Sequence, residues 1–350
     1  LCGSPRGESL AEDSLLVGSK TEALPILTYD TDVGFGYGVK VFFLNHLKCD
    51  ESFDIVLLNS TKGERYYRLV FSKPDFERRQ GKVYPLAVDV VVEYDKWIKN
   101  NFFGIGNTSS YADKEVYTKE PLEVSLSLSR GFTPTIVGQI GFKYRVVRNF
   151  NFAENSRLRI LPPSLNSSKA TTTSLFVTLR YDTRNSFINP SHGVVLQAEA
   201  ELAPRTALSN LKFSRLAASL QRYVTLFEPR TVLAVRLSTH TLLGDDLPVQ
   251  VLLPLGGSST LRGSPQDRYL DKAVALANAE VRFPIVWRFG GVVGLDAGKV
   301  WSSLGKIDLT RWSANPTLGL RFYMDTFVVR ADVGFGKETT GFYFNFGHVF

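Results

Sequence analysis

The sequence alternates apolar and polar residues with a period of two in segment after segment, which is the pattern of β-strands. Between positions 274 and 287, apolar side chains take alternate positions, and Asn278, Glu280 and Arg282 take positions between them. Because successive side chains of a strand point to opposite faces, such a segment has one apolar and one polar face. The alternation predicts an all-β fold whose two sheet faces meet different environments.

Two all-β folds share this pattern: a water-soluble β-sandwich with its apolar face inward, and a membrane barrel with its apolar face outward. The segments run about ten residues and recur along nearly the whole chain without a helical interruption, which favours the barrel. Aromatic residues also stand near segment ends, where barrels carry girdles at the membrane interfaces. These residues are Tyr94, Trp97, Phe102, Phe103, Trp287, Phe289, Trp301 and Trp312.

The composition excludes several other classes of protein. No window approaches the roughly 18 consecutive apolar residues of a membrane-spanning helix. Cys2 and Cys49 are the only cysteines and the four histidines lie far apart, which argues against a disulfide scaffold and against a metal or haem site. No histidine lies near a plausible serine nucleophile, so we expect neither an enzyme nor a cofactor.

Counting strands gives fifteen clear segments, and a weak strand within residues 24–30 supplies the even number expected of a bacterial barrel. We predict a transmembrane antiparallel barrel of about sixteen strands over residues 24–350, after a short periplasmic tail at 1–23. This count places the long connections 96–119, 148–172, 244–273 and 302–314 on the outer side and mostly tight turns on the other. It also places Cys49 on the periplasmic side with Cys2, where an oxidising compartment permits a disulfide.

Three segments carry more specific motifs. They read LPLGGSSTLRGSPQDRYLDK at 253–272, VVGLDAGKVW at 292–301 and GFYFNFGHVF at 341–350. By alternation, Glu280 and Asp296 point into the lumen from adjacent strands. An arginine on a loop that enters the lumen can pair with such carboxylates through two parallel hydrogen bonds.

Together these segments resemble the superfamily of BamA-type outer-membrane assembly and translocation barrels, also called bacterial surface-antigen barrels. In that family the sixth outer loop folds into the lumen and carries a V/L-R-G-F/Y motif, which corresponds here to LRG at 261–263 with Ser264 in place of the aromatic residue. The resemblance therefore implies an infolded sixth outer loop that is locked to the wall. The predicted lock consists of Arg262, Gly263, Glu280 and Asp296.

The last strand resembles the C-terminal β-signal by which assembly machinery recognises an outer-membrane barrel. Alternation places its phenylalanines and His348 on the outward, lipid-facing side. The predicted signal consists of Phe342, Phe344, Phe346, Gly347 and Phe350.

The seam between the first and last strands is predicted to be the weakest in the barrel. Pro25 removes a hydrogen-bond donor from the first strand, and glycines weaken pairing near the last strand. These glycines are Gly334, Gly336, Gly341 and Gly347. The resemblance implies that such a lateral gate pairs with client strands, so that the chain assists protein insertion or translocation in a Gram-negative outer membrane.

Other functions and partners follow from the same reasoning. The family's assembly factors carry periplasmic POTRA domains, for which residues 1–23 are too short, so either a separate partner subunit or a fragmentary chain is expected. A plugged small-solute channel and a structural surface antigen without insertase activity stay open as alternatives. With a net charge of +7 and dispersed basic residues, we expect contact with outer-membrane lipids and lipopolysaccharide but not with nucleic acid. Client outer-membrane proteins and periplasmic or membrane subunits complete the expected partners.

Overall fold

Sixteen antiparallel strands close into a barrel in the computed structural model, which describes residues 18–162, 164–166, 168–227, 231–308 and 310–350. The first eight wall strands are β1 (Lys20–Asp30), β2 (Gly34–Leu44), β3 (Ser52–Ser60), β4 (Arg65–Lys73), β5 (Tyr84–Phe102), β6 (Glu115–Gly131), β7 (Ile136–Phe150) and β8 (Lys169–Asp182). The next three are β9 (Gly193–Ala203), β10 (Phe213–Phe227) and β11 (Thr231–Leu243). The wall continues with β14 (Ala273–Val286), β15 (Phe289–Trp301), β16 (Ser313–Tyr323), β17 (Val328–Phe335) and β18 (Thr340–Phe346). The predicted count of about sixteen is confirmed.

The remaining elements are short and lie in connections. Strands β12 (Leu253–Leu255) and β13 (Tyr269–Asp271) pair with each other between β11 and β14. The helix α1 spans Arg157–Ile160, and single 3-10 turns span Tyr111–Asp113 and Leu304–Lys306. Within the described ranges, no helix has the length and apolar character needed to cross a membrane.

Consecutive wall strands are antiparallel, so their connections alternate between the two ends of the barrel. One end, here called the long-loop end, carries the connections 103–114, 151–168, 244–272 and 302–312. The other, the short-turn end, carries turns such as 132–135, 287–288 and 324–327. The predicted separation of long and short connections is therefore confirmed. Cys49 lies at the short-turn end, whereas Cys2 lies outside the described residues, so their disulfide stays a prediction.

The two faces of the wall are inverted relative to a water-soluble protein. Glu280 and Asp296 are fully buried on the inner face, while Leu237 is 47% exposed and Val293 and Leu295 are similarly exposed on the outer face. A continuous apolar exterior around a charged interior is the distribution that a lipid environment stabilises. The period-two prediction therefore holds for the strands and for their orientation.

The aromatic girdle prediction holds at one end and fails at the other. Trp287 and Phe289 are exposed at the short-turn end. Phe103, by contrast, is buried against the ring of Tyr111. Trp301 is also buried and packs edge-on against Trp312, with 6.0 Å between the ring centres. The prediction is wrong for Phe103 and Trp301 because aromatic residues of the 103–114 and 302–312 connections pack against them.

The seam that closes the barrel has far less pairing than its neighbours. Strand β1 pairs with β2 through eleven residue pairs, and β17 pairs with β18 through seven. Within the described chain, β1 and β18 share only the pairs Tyr29–Phe344 and Asp30–Tyr343, at the long-loop end. Residues 20–28 of β1 therefore have strand partners on one side alone.

The chain leaves strand geometry directly after β18. Gly347 has a φ of +79°, a left-handed conformation that glycine adopts without steric cost. The following residues turn into the lumen, where the carbonyl oxygen of Phe350 accepts a hydrogen bond of 3.1 Å from Arg282 and its ring lies 5.0 Å from the Arg236 guanidinium. His348 lies near the lumenal charges of Arg282 as well. The predicted outward position is therefore wrong for Phe350 and His348, because alternation stops where the strand stops.

The inverted faces give a direct test of the lipid-facing surface. We expect Leu237→Arg, at the middle of β11, to lower the free energy of unfolding by about 2–4 kcal/mol, because the charge would lie in hydrocarbon. Gln197→Arg, at the middle of β9 on the lumenal face, should change it much less. Equilibrium unfolding in lipid vesicles, followed by tryptophan fluorescence, measures both, and equal destabilisation by the two variants would contradict the assignment.

Candidate functional site

The 244–272 segment between β11 and β14 packs against the wall through leucine side chains. Leu255, Leu261 and Leu270 are buried in one apolar cluster with Leu276 and Val300 of the wall. Removing these side chains from water supplies a non-directional attraction between segment and wall. The cluster holds the residues between β12 and β13 close to the wall. Which hydrogen bonds they form there depends on their own polar groups.

Arg262 lies at the centre of the site, with 0% of its side chain exposed. Its Nε donates to Asp296 Oδ2 at 2.7 Å and its Nη2 donates to Asp296 Oδ1 at 2.9 Å, which is the bidentate arrangement that the motif predicts. Nη1 donates to Glu280 Oε1 at 2.9 Å and to Asp332 Oδ2 at 3.0 Å. The structure thus brings together all four predicted lock residues and adds Asp332 of β17.

The carboxylates around Arg262 have further cationic partners. Glu280 also pairs with Arg282 at 2.8 Å, and Asp332 pairs with both Arg321 and Arg330. Burial would lower the pKa of the Arg262 guanidinium, but the hydrogen bonds to Asp296 and the surrounding carboxylates raise it above its ordinary value. The guanidinium therefore stays charged, and its desolvation is offset by paired charge on every side.

Glycines allow the backbone of the segment to touch the wall. Gly263 has a φ of +89°, and a Cβ at this position would lie 2.6 Å from the backbone of Gly334 and of Gly336. A Cβ at Gly334 would in turn lie 2.4 Å from the carbonyl carbon of Arg262. Gly334 nonetheless pairs with Gly341 in the ladder. These glycines therefore serve close packing of the segment, a reason that the sequence pattern does not reveal.

The same segment contacts both sides of the seam. The Gly263 N–H donates to the Tyr343 hydroxyl of β18 at 2.9 Å, and the Gln266 N–H donates to Asp32 Oδ2, just after β1, at 2.7 Å. Burial raises the pKa of the Asp32 carboxyl, although the hydrogen bonds from Gln266 and Asn101 oppose the change. The segment therefore bridges β1 and β18 at the one end where they pair.

A second buried arginine, Arg268, was not predicted from the sequence. It forms a double hydrogen bond with Glu338 in the β17–β18 turn and donates to Ser109 in the 103–114 connection. Its guanidinium also lies 4.5 Å from the ring of Tyr269 and 5.0 Å from that of Phe103. Its role in joining the 244–272 segment to two other connections is visible only in the tertiary structure, because the three connections are distant in sequence.

The other predicted site residues lie apart from this cluster. Phe342, Phe344 and Phe346 are exposed on the outer face of β18, as alternation predicts. The Cys49 thiol donates to Glu51 Oε2 at 3.3 Å in the β2–β3 turn. In the described part of the chain, no group of three or more histidine, cysteine, aspartate or glutamate side chains is arranged to hold a metal ion.

A closed barrel of sixteen antiparallel strands with a buried arginine network in its lumen is the architecture of a barrel membrane protein. Residues 45–350 match the Omp85 superfamily domain, and the chain belongs to the Omp85 superfamily.

Solved structures share this fold at low sequence identity. BamA from Haemophilus ducreyi lacking POTRA domains 1–3 is 14% identical with a TM-score of 0.68, over 94% of this chain and 70% of that chain. CdiB from Acinetobacter baumannii is 15% identical with a TM-score of 0.56, over 94% and 59% of the two chains. CdiB from Escherichia coli is 12% identical with a TM-score of 0.60, over 93% and 62%. The chain thus spans less than two thirds of either CdiB. No curated protein matches the sequence.

The network predicts a large cost for removing its central cation. We expect Arg262→Ala to lower the free energy of unfolding by about 3–5 kcal/mol, because three buried carboxylates lose a shared partner. Arg205→Ala, an exposed arginine in the 204–212 connection, should change it by no more than about 0.5 kcal/mol. Heat-modifiable gel mobility and urea unfolding in vesicles measure the effect. An Arg262→Ala barrel as stable as the Arg205→Ala barrel would contradict the assignment.

Proposed function

We propose that this chain is an outer-membrane barrel that assists the insertion or translocation of proteins through the seam between β1 and β18. Membership of the Omp85 superfamily supports a role in protein insertion or translocation in general. The similarity in fold to BamA and CdiB barrels and the apolar exterior support a place in the outer membrane of a Gram-negative bacterium. The activity would require strand pairing and no covalent chemistry.

The observation that carries the proposal is the incomplete pairing of β1. Its residues 20–28 lie beyond the two pairs made with β18, so a row of backbone donors and acceptors is available at the short-turn end. An unpaired strand edge is a template for addition of another strand. A client strand would pair with β1 there and leave sideways into the bilayer or be guided through the lumen.

The lock would make the opposite end of the seam the last part to open. Counting connections from β1 at the long-loop end, the 244–272 segment is the sixth, and we interpret it as the infolded sixth outer loop of the family. Its contacts with Tyr343 and Asp32 support a gate that opens first at the short-turn end and last at the long-loop end.

Further assignments belong to the same proposal. The outward phenylalanines of β18 would form the β-signal, and the short-turn end would face the periplasm. The predicted tail at residues 1–23 would lie there too, shortened to the residues before β1, which begins at Lys20. Lipopolysaccharide would contact the long-loop end, and periplasmic or membrane subunits would deliver clients.

A disulfide across the seam tests the gate. In a background with both native cysteines changed to serine, we expect Tyr29→Cys with Phe344→Cys to form a disulfide, because these residues are directly opposite. This bond stops the long-loop end from separating, so the seam cannot open fully. The oxidised barrel should therefore no longer accelerate folding of an outer-membrane barrel client in liposomes, and reduction should restore the acceleration. The measurement is the rate at which the folded client band appears by gel mobility.

The control places the same bond away from the seam. Leu220→Cys with Leu237→Cys, directly opposite on β10 and β11, should leave the acceleration unchanged after oxidation. Full activity of the oxidised seam variant, or equal loss in both variants, would contradict the gate.

A plugged small-solute channel is the second candidate, because the 244–272 segment leaves a cavity of about 310 Å³ between itself and the wall. The channel predicts that deletion of residues 257–266 gives a steady large conductance in planar bilayers. It also predicts that the seam disulfide leaves this conductance unchanged. A deletion variant that folds without conducting would contradict the channel.

A further inference from the structure

The lumen holds a cavity of about 310 Å³ between the 244–272 segment and the wall strands β6–β11 with the start of β14. This volume lies at the lower end of the range of about 300–1,000 Å³ for pockets that bind small molecules. Neither β1 nor β18 lines it, and neither do Arg262, Glu280 or Asp296. The cavity is therefore distinct from the proposed lock and gate.

One side of the cavity is apolar. The 244–272 segment contributes Val251, Leu252, Leu253 and Leu255. The wall adds Val147, Ala170, Phe213 and Leu242 towards the long-loop end. Apolar surface without packing partners lacks the dispersion contacts that a filled core has, so this side favours a ligand with a hydrocarbon body.

The wall lining of the cavity becomes basic from the long-loop end towards the middle of the barrel. Val147 of β7 is opposite Ala170, and two residues further into the barrel Arg145 is opposite Thr172. Lys143 follows after two more residues on the same face. On β10, Arg215 likewise follows Phe213 towards the middle of the barrel. The polarity therefore changes along the barrel axis from apolar at the long-loop end to basic near the middle.

The cations on this side differ in how completely they are paired. Arg215 forms close pairs with Glu199 at 2.6 Å and Glu201 at 2.7 Å, and Lys119 lies 3.3 Å from Asp267.

Lys143 and Arg145 are held more loosely. Each lies 3.7 Å from the one carboxylate of Glu123, and Lys143 lies 3.8 Å from Glu201. Neither donates a hydrogen bond within 3.5 Å to any residue that the structure describes. Their donors are available to a further anion.

We infer that this cavity binds a small amphipathic anion, a single hydrocarbon chain with a carboxylate or phosphate head. The head accepts hydrogen bonds from Lys143 and Arg145, where the arginine can present two parallel donors to a planar carboxylate. The hydrocarbon chain lies towards the long-loop end against Leu252, Phe213 and Leu242. Occupancy fills the apolar side and adds negative charge beside two cations that share the carboxylate of Glu123, with Glu201 at 3.8 Å from Lys143.

Binding of radiolabelled dodecanoate to the full chain in phosphatidylcholine nanodiscs tests this site at a pH where the carboxylate is ionised. We expect saturable binding of one molecule per barrel above the uptake of empty nanodiscs. Lys143→Gln with Arg145→Gln should weaken it at least tenfold, and Ser238→Trp, which fills the cavity from β11, should abolish it. Dodecanol should not compete at concentrations where unlabelled dodecanoate does.

Two matched controls separate the site from general effects of substitution. Lys40→Gln with Arg68→Gln removes two lumenal cations that do not line the cavity, and Leu237→Trp adds the same indole to the outer face of β11. Both should bind dodecanoate as the unaltered chain does, with unchanged heat-modifiable mobility. Uptake no greater than that of empty nanodiscs overturns the inference, as does unchanged binding in either site variant or equal competition by dodecanol.

Discussion

The buried charge of Arg262 is the interaction on which the rest of the lumen depends. A guanidinium with 0% exposure is stable only where carboxylates surround it, and Asp296, Glu280 and Asp332 do so from three different wall strands. Asn315 of β16 adds a hydrogen bond of 2.9 Å to the Arg262 carbonyl. One residue of the 244–272 segment, through its side chain and its carbonyl oxygen, thus contacts four consecutive strands, β14 to β17.

The position of Arg262 makes the two ends of the β1–β18 seam differ in how firmly they are held. Because Gly263 and Gln266 follow directly, the segment reaches Tyr343 on one side of the seam and Asp32 on the other. The seam is therefore supported at the long-loop end and has no comparable pairing over residues 20–28 at the short-turn end. Resistance to opening would differ between the two ends, which is the physical basis of the proposed gate.

The same attachment makes opposite sides of the lumen differ in how closely the segment packs against the wall. The buried ion pairs of Arg262 hold the segment to the β14–β17 side. On the facing side, from β6 to β11, Lys119 pairs with Asp267 but open space is left beside the segment. Apolar side chains of the segment meet basic side chains of the wall across that space. The proposed amphiphile site and the proposed gate therefore arise from one constraint but occupy opposite sides of the lumen.

Period-two alternation by itself determined fifteen of the sixteen strands and the lumenal direction of Glu280 and Asp296, because a strand fixes side-chain direction locally. The LRG motif likewise indicated which arginine pairs with them. Only the tertiary structure decided that Asp332 joins the network, that Arg268 pairs with Glu338, and that Phe350 turns inward at Gly347. These contacts join residues far apart in the chain or follow the end of a strand, where the local pattern carries no information about which side chains meet.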